Sequence, residues 1–162
     1  MKKLKALRCK TLVFLTHHMG LPALKIFRKP KPFPWTKEEL FKMERGIVGR
    51  ELIEFINNKN LELLTYYARH DMKHIVLGFD TTEEGELCLQ SFMLGNGRIS
   101  FPVLATVLFG LLTAPEHWKK MFSSFKKGKK CIVIHNWDWF SLVPLQIEEL
   151  KNKIFMHKIQ LS

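Results

Sequence analysis

Residues 61–97 read LELLTYYARHDMKHIVLGFDTTEEGELCLQSFMLGNG, and their pattern decides the fold. From Leu61 to Leu77 apolar residues recur at helical spacing (Leu61, Leu64, Tyr67, Ala68, Ile75), and no proline or glycine interrupts them, which predicts a helix. Gly78-Phe79-Asp80 breaks it. Thr81 and Glu84 then have capping-box spacing, so a second helix is expected through Leu87, Leu89, Phe92 and Met93 to the turn Gly95-Asn96-Gly97. Two such helices joined by a short break predict an αα-hairpin.

The flanking sequence extends the same pattern. Upstream, Thr36 and Glu39 form a capping box with Trp35 and Leu40 placed as a hydrophobic staple, so a helix begins at residue 36 or 37. Gly46 and Gly49 loosen its far end. An amphipathic run with Leu52, Ile53, Phe55 and Ile56 ends in Asn57-Asn58-Lys59-Asn60. Downstream, Ile99 to Ala114 is mostly apolar over 16 residues, short of the ~20 that span a bilayer, and carries Pro102, which predicts a buried helix. Thr113 and Glu116 repeat the capping-box spacing before a helix to Gly128, with Lys126 to Lys130 as a basic turn. Cys131 to Ile134 is β-branched but has no partner strand, so helix is the reading that context favours. A last helix over 145–158 follows Pro144, with Ile147, Leu150, Ile154 and Phe155 on one face. The expectation is an all-α domain of six to eight helices around one core, over residues 38–162.

Residues 1–37 form the other part, a basic arm. They hold ten of the 26 Lys and Arg residues and no acid, while residues 38–162 set the other 16 against all 15 acids. The arm places Leu4, Leu7, Leu12, Phe14 and Leu15 among its charges and ends in Lys29-Pro30-Lys31-Pro32-Phe33-Pro34, which reads as a stiff polyproline linker. An acid-free arm calls for an anionic partner. Its leucines have a use at a bilayer and none on a phosphate backbone, so an anionic membrane surface ranks ahead of nucleic acid. The patch Leu12 to Leu15 is shorter than a signal core of ~7 to 15 residues. Three cysteines (Cys9, Cys88, Cys131) without CxxC spacing suit a reducing compartment and argue against a disulfide framework or a thiolate zinc site. The expected location is cytoplasmic, peripheral on the inner face of a membrane.

The chemistry lies in His70-Asp71-Met72-Lys73-His74. Imidazoles at i and i+4 share one side of a helix and can reach one metal ion. A single pair of this kind is more often surface or core, but Glu86 changes the balance. His74 stands four residues before Gly78 and Glu86 five after Thr81, so at ~1.5 Å per residue the two lie at similar heights on facing helices. Two imidazoles and a carboxylate suit zinc, and nonhaem iron(II) accepts a similar set. Asp71 points about 100° from His70 and is either a further ligand or a group that orients one. The HExxH pattern of zinc peptidases needs Glu where Asp71 stands, and HD-type phosphohydrolases need an upstream His on another helix, where this chain offers only His17 and His18 of the arm.

His70-Asp71-x-x-His74, then eleven residues, then Glu86, resembles the HDxxHx11E motif of the ubiquinone (coenzyme Q) biosynthesis protein 4 family. Gly49-Arg50-Glu51, Gly78, Gly85, Phe109-Gly110, Lys127-Gly128-Lys129 and Trp137-Asp138 extend the resemblance over about residues 40–156. Thr81-Thr82-Glu83-Glu84 departs from the apolar turn usual before the family's Gly-Glu, and the arm has no counterpart.

The resemblance implies an all-helical, membrane-associated protein that holds a divalent metal, zinc by preference, at His70, Asp71, His74 and Glu86. It implies a polyprenylated benzoate precursor as ligand, loss of its ring carboxylate as the reaction, and other quinone-biosynthesis proteins as partners, with a homo-oligomer allowed. A prenyl tail needs an apolar groove, for which Leu87, Phe92, Met93, Val107, Leu108 and Leu111 are candidates. Two classes follow: a metal-dependent decarboxylase, and a non-catalytic prenyl-lipid-binding or scaffolding protein.

Overall fold

The computed structural model describes residues 32–59, 63 and 65–155. Among them are seven α-helices: α1 Lys37–Lys42, α2 Val48–Asn58, α3 Thr65–Leu77, α4 Glu83–Gly95, α5 Phe101–Thr113, α6 Trp118–Lys130 and α7 Ile147–Phe155. Short 3₁₀ turns lie at Pro115–His117 and Trp139–Leu142. The protein is all-α, and its one β-bridge among the described residues is the isolated pair Ile47 and Gln146. Residues 1–31 of the basic arm, the start of the predicted 61–77 helix and the end of the predicted 145–158 helix fall outside the described residues. Contacts group the described chain into two compact units, one from 81–129 and one from 32–80 with 130–155. The helices expected to pair as a hairpin, α3 and α4, fall in different units.

In the unit of 32–80 and 130–155, α1 starts at the expected capping box. Thr36 Oγ1 accepts the Glu39 N–H at 3.2 Å and the Thr36 N–H donates to Glu39 Oε2 at 2.7 Å. The N-terminus of α2 has no side-chain cap. Its free donors are used by backbone elsewhere: the Val48 N–H donates to the Leu145 carbonyl at 3.0 Å and the Gly49 N–H to that of Val143 at 2.9 Å. Gly49 permits this approach, since a Cβ there would meet Met43, Val143 and Leu40. α2 buries Leu52, Ile53 and Ile56, and α3 buries Ala68, Met72 and Val76 at successive turns. α3 packs on α2, α7 and the Trp139–Leu142 turn. Arg69 lies 5.2 Å from the Phe140 ring centroid, and the buried Lys73 lies 5.4 Å from that of Trp139. Phe33 of the linker stacks edge-on to Phe140 at 5.1 Å.

Residues 131–134 are not helical, as context had suggested, but irregular. The Ile132 N–H donates to the Ile154 carbonyl at 3.4 Å and Ile134 is fully buried, so packing on α7 substitutes for regular structure.

In the unit of 81–129, α4 and α6 cross at two glycines. A Cβ on Gly95 would overlap the Phe125 carbonyl, and one on Gly128 would overlap that of Phe92. Asn96 Nδ2 donates across the crossing to the Gly128 carbonyl at 3.2 Å. α5 packs on α4 through its small residues: Gly110 leaves room for Leu87 and Met121. The expectation of a buried α5 needs correction. Val103, Thr106 and Gly110 face inward, while Phe101, Leu104, Leu108 and Leu112 are 45–74% exposed.

Two caps also differ from expectation. Thr82, not Thr81, caps α4 by accepting the Gly85 N–H at 3.2 Å. Thr113 forms no capping box; its hydroxyl donates back to the Phe109 carbonyl at 2.7 Å, inside α5. Lys126 to Lys130 end α6 as helix rather than turn.

Candidate metal centre

α3 places His70 and His74 one turn apart, and the turn that ends it sets their protonation. Gly78 adopts φ 72°, where glycine carries no Cβ penalty. The Gly78 and Phe79 N–H groups then both donate to the His74 carbonyl, at 2.9 and 3.1 Å. The same turn brings the Phe79 carbonyl 3.1 Å from His74 Nδ1. A carbonyl only accepts, so Nδ1 carries a proton and Nε2 of the neutral ring presents its lone pair. That Nε2 lies 3.0 Å from His70 Nε2, with the rings at 84°. Without an ion, the neutral pair is joined by His70 Nε2–H donating to His74 Nε2. His74 is 1% exposed and His70 half-buried.

Glu86 stands in the acidic first turn of α4, where a helix N-terminus favours a carboxylate. One ligand atom each from His70, His74 and Glu86 lie within 4.8 Å of one another. Bonds of ~2 Å to one ion set tetrahedral donors ~3.3 Å apart. The two imidazole nitrogens, 3.0 Å apart, are close to that spacing already. The donor set, two neutral nitrogens and a carboxylate, fits a divalent ion such as zinc, with a position left for water or another ligand.

Asp71 is not in the converging set. Its charge acts one turn back on Tyr67, whose hydroxyl is pushed up to about 12, first by burial and then by the Asp71 carboxylate. Sequence reading missed the Phe79 carbonyl as the group that fixes His74, although Gly78 marked the turn that brings it round. It also missed that Lys73, inside the motif, is 6% exposed. A lysine in a short motif carries no signal of burial.

Of the six groove candidates, Leu87, Phe92 and Met93 are fully buried. Val107 and Leu111 are half-buried against the Leu87, Ala114 and Met121 cluster, and Leu108 is 55% exposed. A cleft of about 370 Å³ lies elsewhere, lined by Trp137, Asp138, Lys153 and their neighbours, and none of the six lines it.

An all-α chain in which an i, i+4 histidine pair and a glutamate converge defines a helical protein with a candidate two-histidine, one-carboxylate metal centre. The chain belongs to the Coenzyme Q (ubiquinone) biosynthesis protein Coq4 family, whose family model matches residues 35–160. Membership ties it to ubiquinone biosynthesis. Its fold is similar to the crystal structure of a Nostoc punctiforme PCC 73102 protein provisionally assigned to ubiquinone biosynthesis. The TM-score is 0.60 and the identity 21%, over 95% of this chain and 82% of that one. No curated protein matches the sequence.

Proposed function

We propose that this chain holds a divalent ion, zinc by preference, through His70, His74 and Glu86, binds a polyprenylated benzoate precursor of ubiquinone, and promotes loss of its ring carboxylate at a membrane surface. The observation that carries the reading is the convergence of those three side chains in a member of a ubiquinone-biosynthesis family. A bound divalent ion would act as a Lewis acid toward the carboxylate and neighbouring ring oxygens.

The protein groups have separate tasks. The Phe79 carbonyl keeps the His74 proton on Nδ1 and its Nε2 lone pair free for an ion. For His70 to offer its Nε2 as well, its proton must sit on Nδ1 instead, a change of tautomer with no net proton loss; an ion needs both rings neutral, so occupancy falls as pH drops through the histidine range. Asp71, beside Tyr67 rather than in the converging set, orients the motif instead of ligating.

The test combines elemental analysis of the purified chain with an assay for carbon dioxide release from a polyprenyl hydroxybenzoate. One equivalent of metal, lost in His74→Ala and Glu86→Ala, together with metal-dependent release is expected. Metal and tight prenyl-lipid binding without release would replace catalysis by a binding or scaffolding role. Absence of metal from the intact chain would overturn the site.

A further inference from the structure

The described residues expose ten large apolar side chains, and seven of them lie within 99–122. On α5, Phe101, Leu104, Leu108 and Leu112 recur at i, i+3, i+7 and i+11, so they form one continuous ridge about 16 Å long. The sequence next adds an aromatic pair at i and i+4 of α6, Trp118 and Phe122, which are 42% and 55% exposed. Trp118 Nε1 donates to the Leu111 carbonyl at 3.1 Å, which holds its ring beside the last turn of α5. A contiguous apolar ridge of this kind marks a contact surface rather than the scattered exposure that needs no explanation.

Charge selects the occupant. Residues 97–129 carry six basic side chains (Arg98, Lys119, Lys120, Lys126, Lys127, Lys129) and one acid, Glu116. At 100° per residue, Trp118, Phe122, Lys119, Lys126 and Lys129 fall within an arc of about 100° on α6, and all five are exposed. Aromatic rings and lysines on one arc are what a helix in a headgroup layer presents, with apolar stems in the acyl boundary and ammonium groups at phosphates. A second copy of the chain would face this surplus of lysines with an identical surplus. An anionic lipid surface meets it with the opposite sign.

We propose that the α5 ridge, extended by Trp118 and Phe122, is the face on which this protein docks in the interfacial layer of an anionic bilayer. This deepens the membrane half of the proposed function and rests on it. It differs from attachment through the basic arm alone, because it places the unit of 81–129 itself in contact with lipid.

The experiment measures binding of the full chain to vesicles of equal phosphatidylglycerol and phosphatidylcholine. It compares the wild type with Leu108→Glu/Leu112→Glu, Lys126→Gln/Lys129→Gln and Trp118→Phe, all at exposed positions. Melting curves and metal content verify that each variant is folded. The leucine pair is expected to weaken vesicle affinity about tenfold or more, and the lysine pair to weaken it less and in a salt-dependent way. Tryptophan fluorescence is expected to be quenched by bromolipids in the wild type and not in Trp118→Phe. If the intact chain does not bind anionic vesicles at all, the membrane reading itself fails. If it binds but the leucine pair binds equally well and quenching is unchanged in Trp118→Phe, docking occurs elsewhere and only the present inference is overturned. Dimers split by the leucine pair, with vesicle binding unchanged, would also overturn it and make the ridge an interface between copies.

Discussion

Nε2 of His70 and Nε2 of His74 face each other at 3.0 Å, and only one of them can carry a proton. The Phe79 carbonyl assigns that proton to His70 by occupying His74 Nδ1. The pair is therefore set for an ion once the His70 proton moves from Nε2 to Nδ1, a change of tautomer that releases no proton.

Metal binding should release protons only where a ring starts as imidazolium. Calorimetric titration of the metal-free chain with zinc, repeated in buffers of different ionisation enthalpy, is expected to show proton release near pH 6 that shrinks as pH rises above the histidine range. Glu86→Gln keeps the side-chain shape but removes the charge, and should weaken zinc binding at least about tenfold. Unchanged affinity in Glu86→Gln would remove the carboxylate from the site.

The glycines at the α4 and α6 crossing should tolerate nothing larger. Gly95→Ala and Gly128→Ala each drive a Cβ into a backbone carbonyl, so each is expected to cost ~1–3 kcal/mol or more, measured by denaturant unfolding. Gly78→Ala meets no atom within 4 Å and has only its left-handed backbone to strain, about 1 kcal/mol. A larger loss at Gly78 than at Gly95 would contradict the crossing.

Tyr67 should ionise late. Its hydroxyl is raised to about 12 from the ordinary 10, so in Tyr66→Phe chain the remaining phenol is expected to titrate well to the alkaline side by ultraviolet absorbance. The raised folded value means the contribution to stability is fully present below 10 and is lost as pH rises through 12. Asp71→Asn should lower the value by the smaller of the two effects, since burial is the larger. Ionisation near 10 with helical signal intact would show Tyr67 to be solvated.

Glu39 should behave in the opposite sense. Hydrogen bonding to Thr36, chiefly to its backbone N–H, holds its carboxyl below the usual 4.5. This contribution is present above 4.5 and lost as pH falls through the lowered folded value. Thr36→Ala removes the side-chain half of the capping box, which is expected to cost ~1 kcal/mol and to return Glu39 toward 4.5 in an NMR titration. A Glu39 titration that does not move would show that the Thr36 hydroxyl contributes nothing to the carboxylate, leaving the backbone N–H as its partner.

The residues of the candidate centre were legible in the chain because helix geometry is local. An i, i+4 pair shares a face in any helix, Gly78 announces the break, and the Thr36 box needs only four consecutive residues. What lay beyond the sequence was every feature that depends on a distant neighbour. Thr81 and Thr82 are equal candidates for a cap until the chain leaving Gly78 fixes which hydroxyl meets Gly85. Residues 131–134 have strand-like composition, yet the Ile154 carbonyl and burial of Ile134 hold them irregular. α5 is apolar on all sides, so its pattern is silent about which side is covered; tertiary packing covers the side with Val103, Thr106 and Gly110, and at Gly110 the missing Cβ is what admits Leu87 and Met121 so closely. Periodicity states what a helix is able to bury, and steric fit between helices far apart in the chain decides what it does bury.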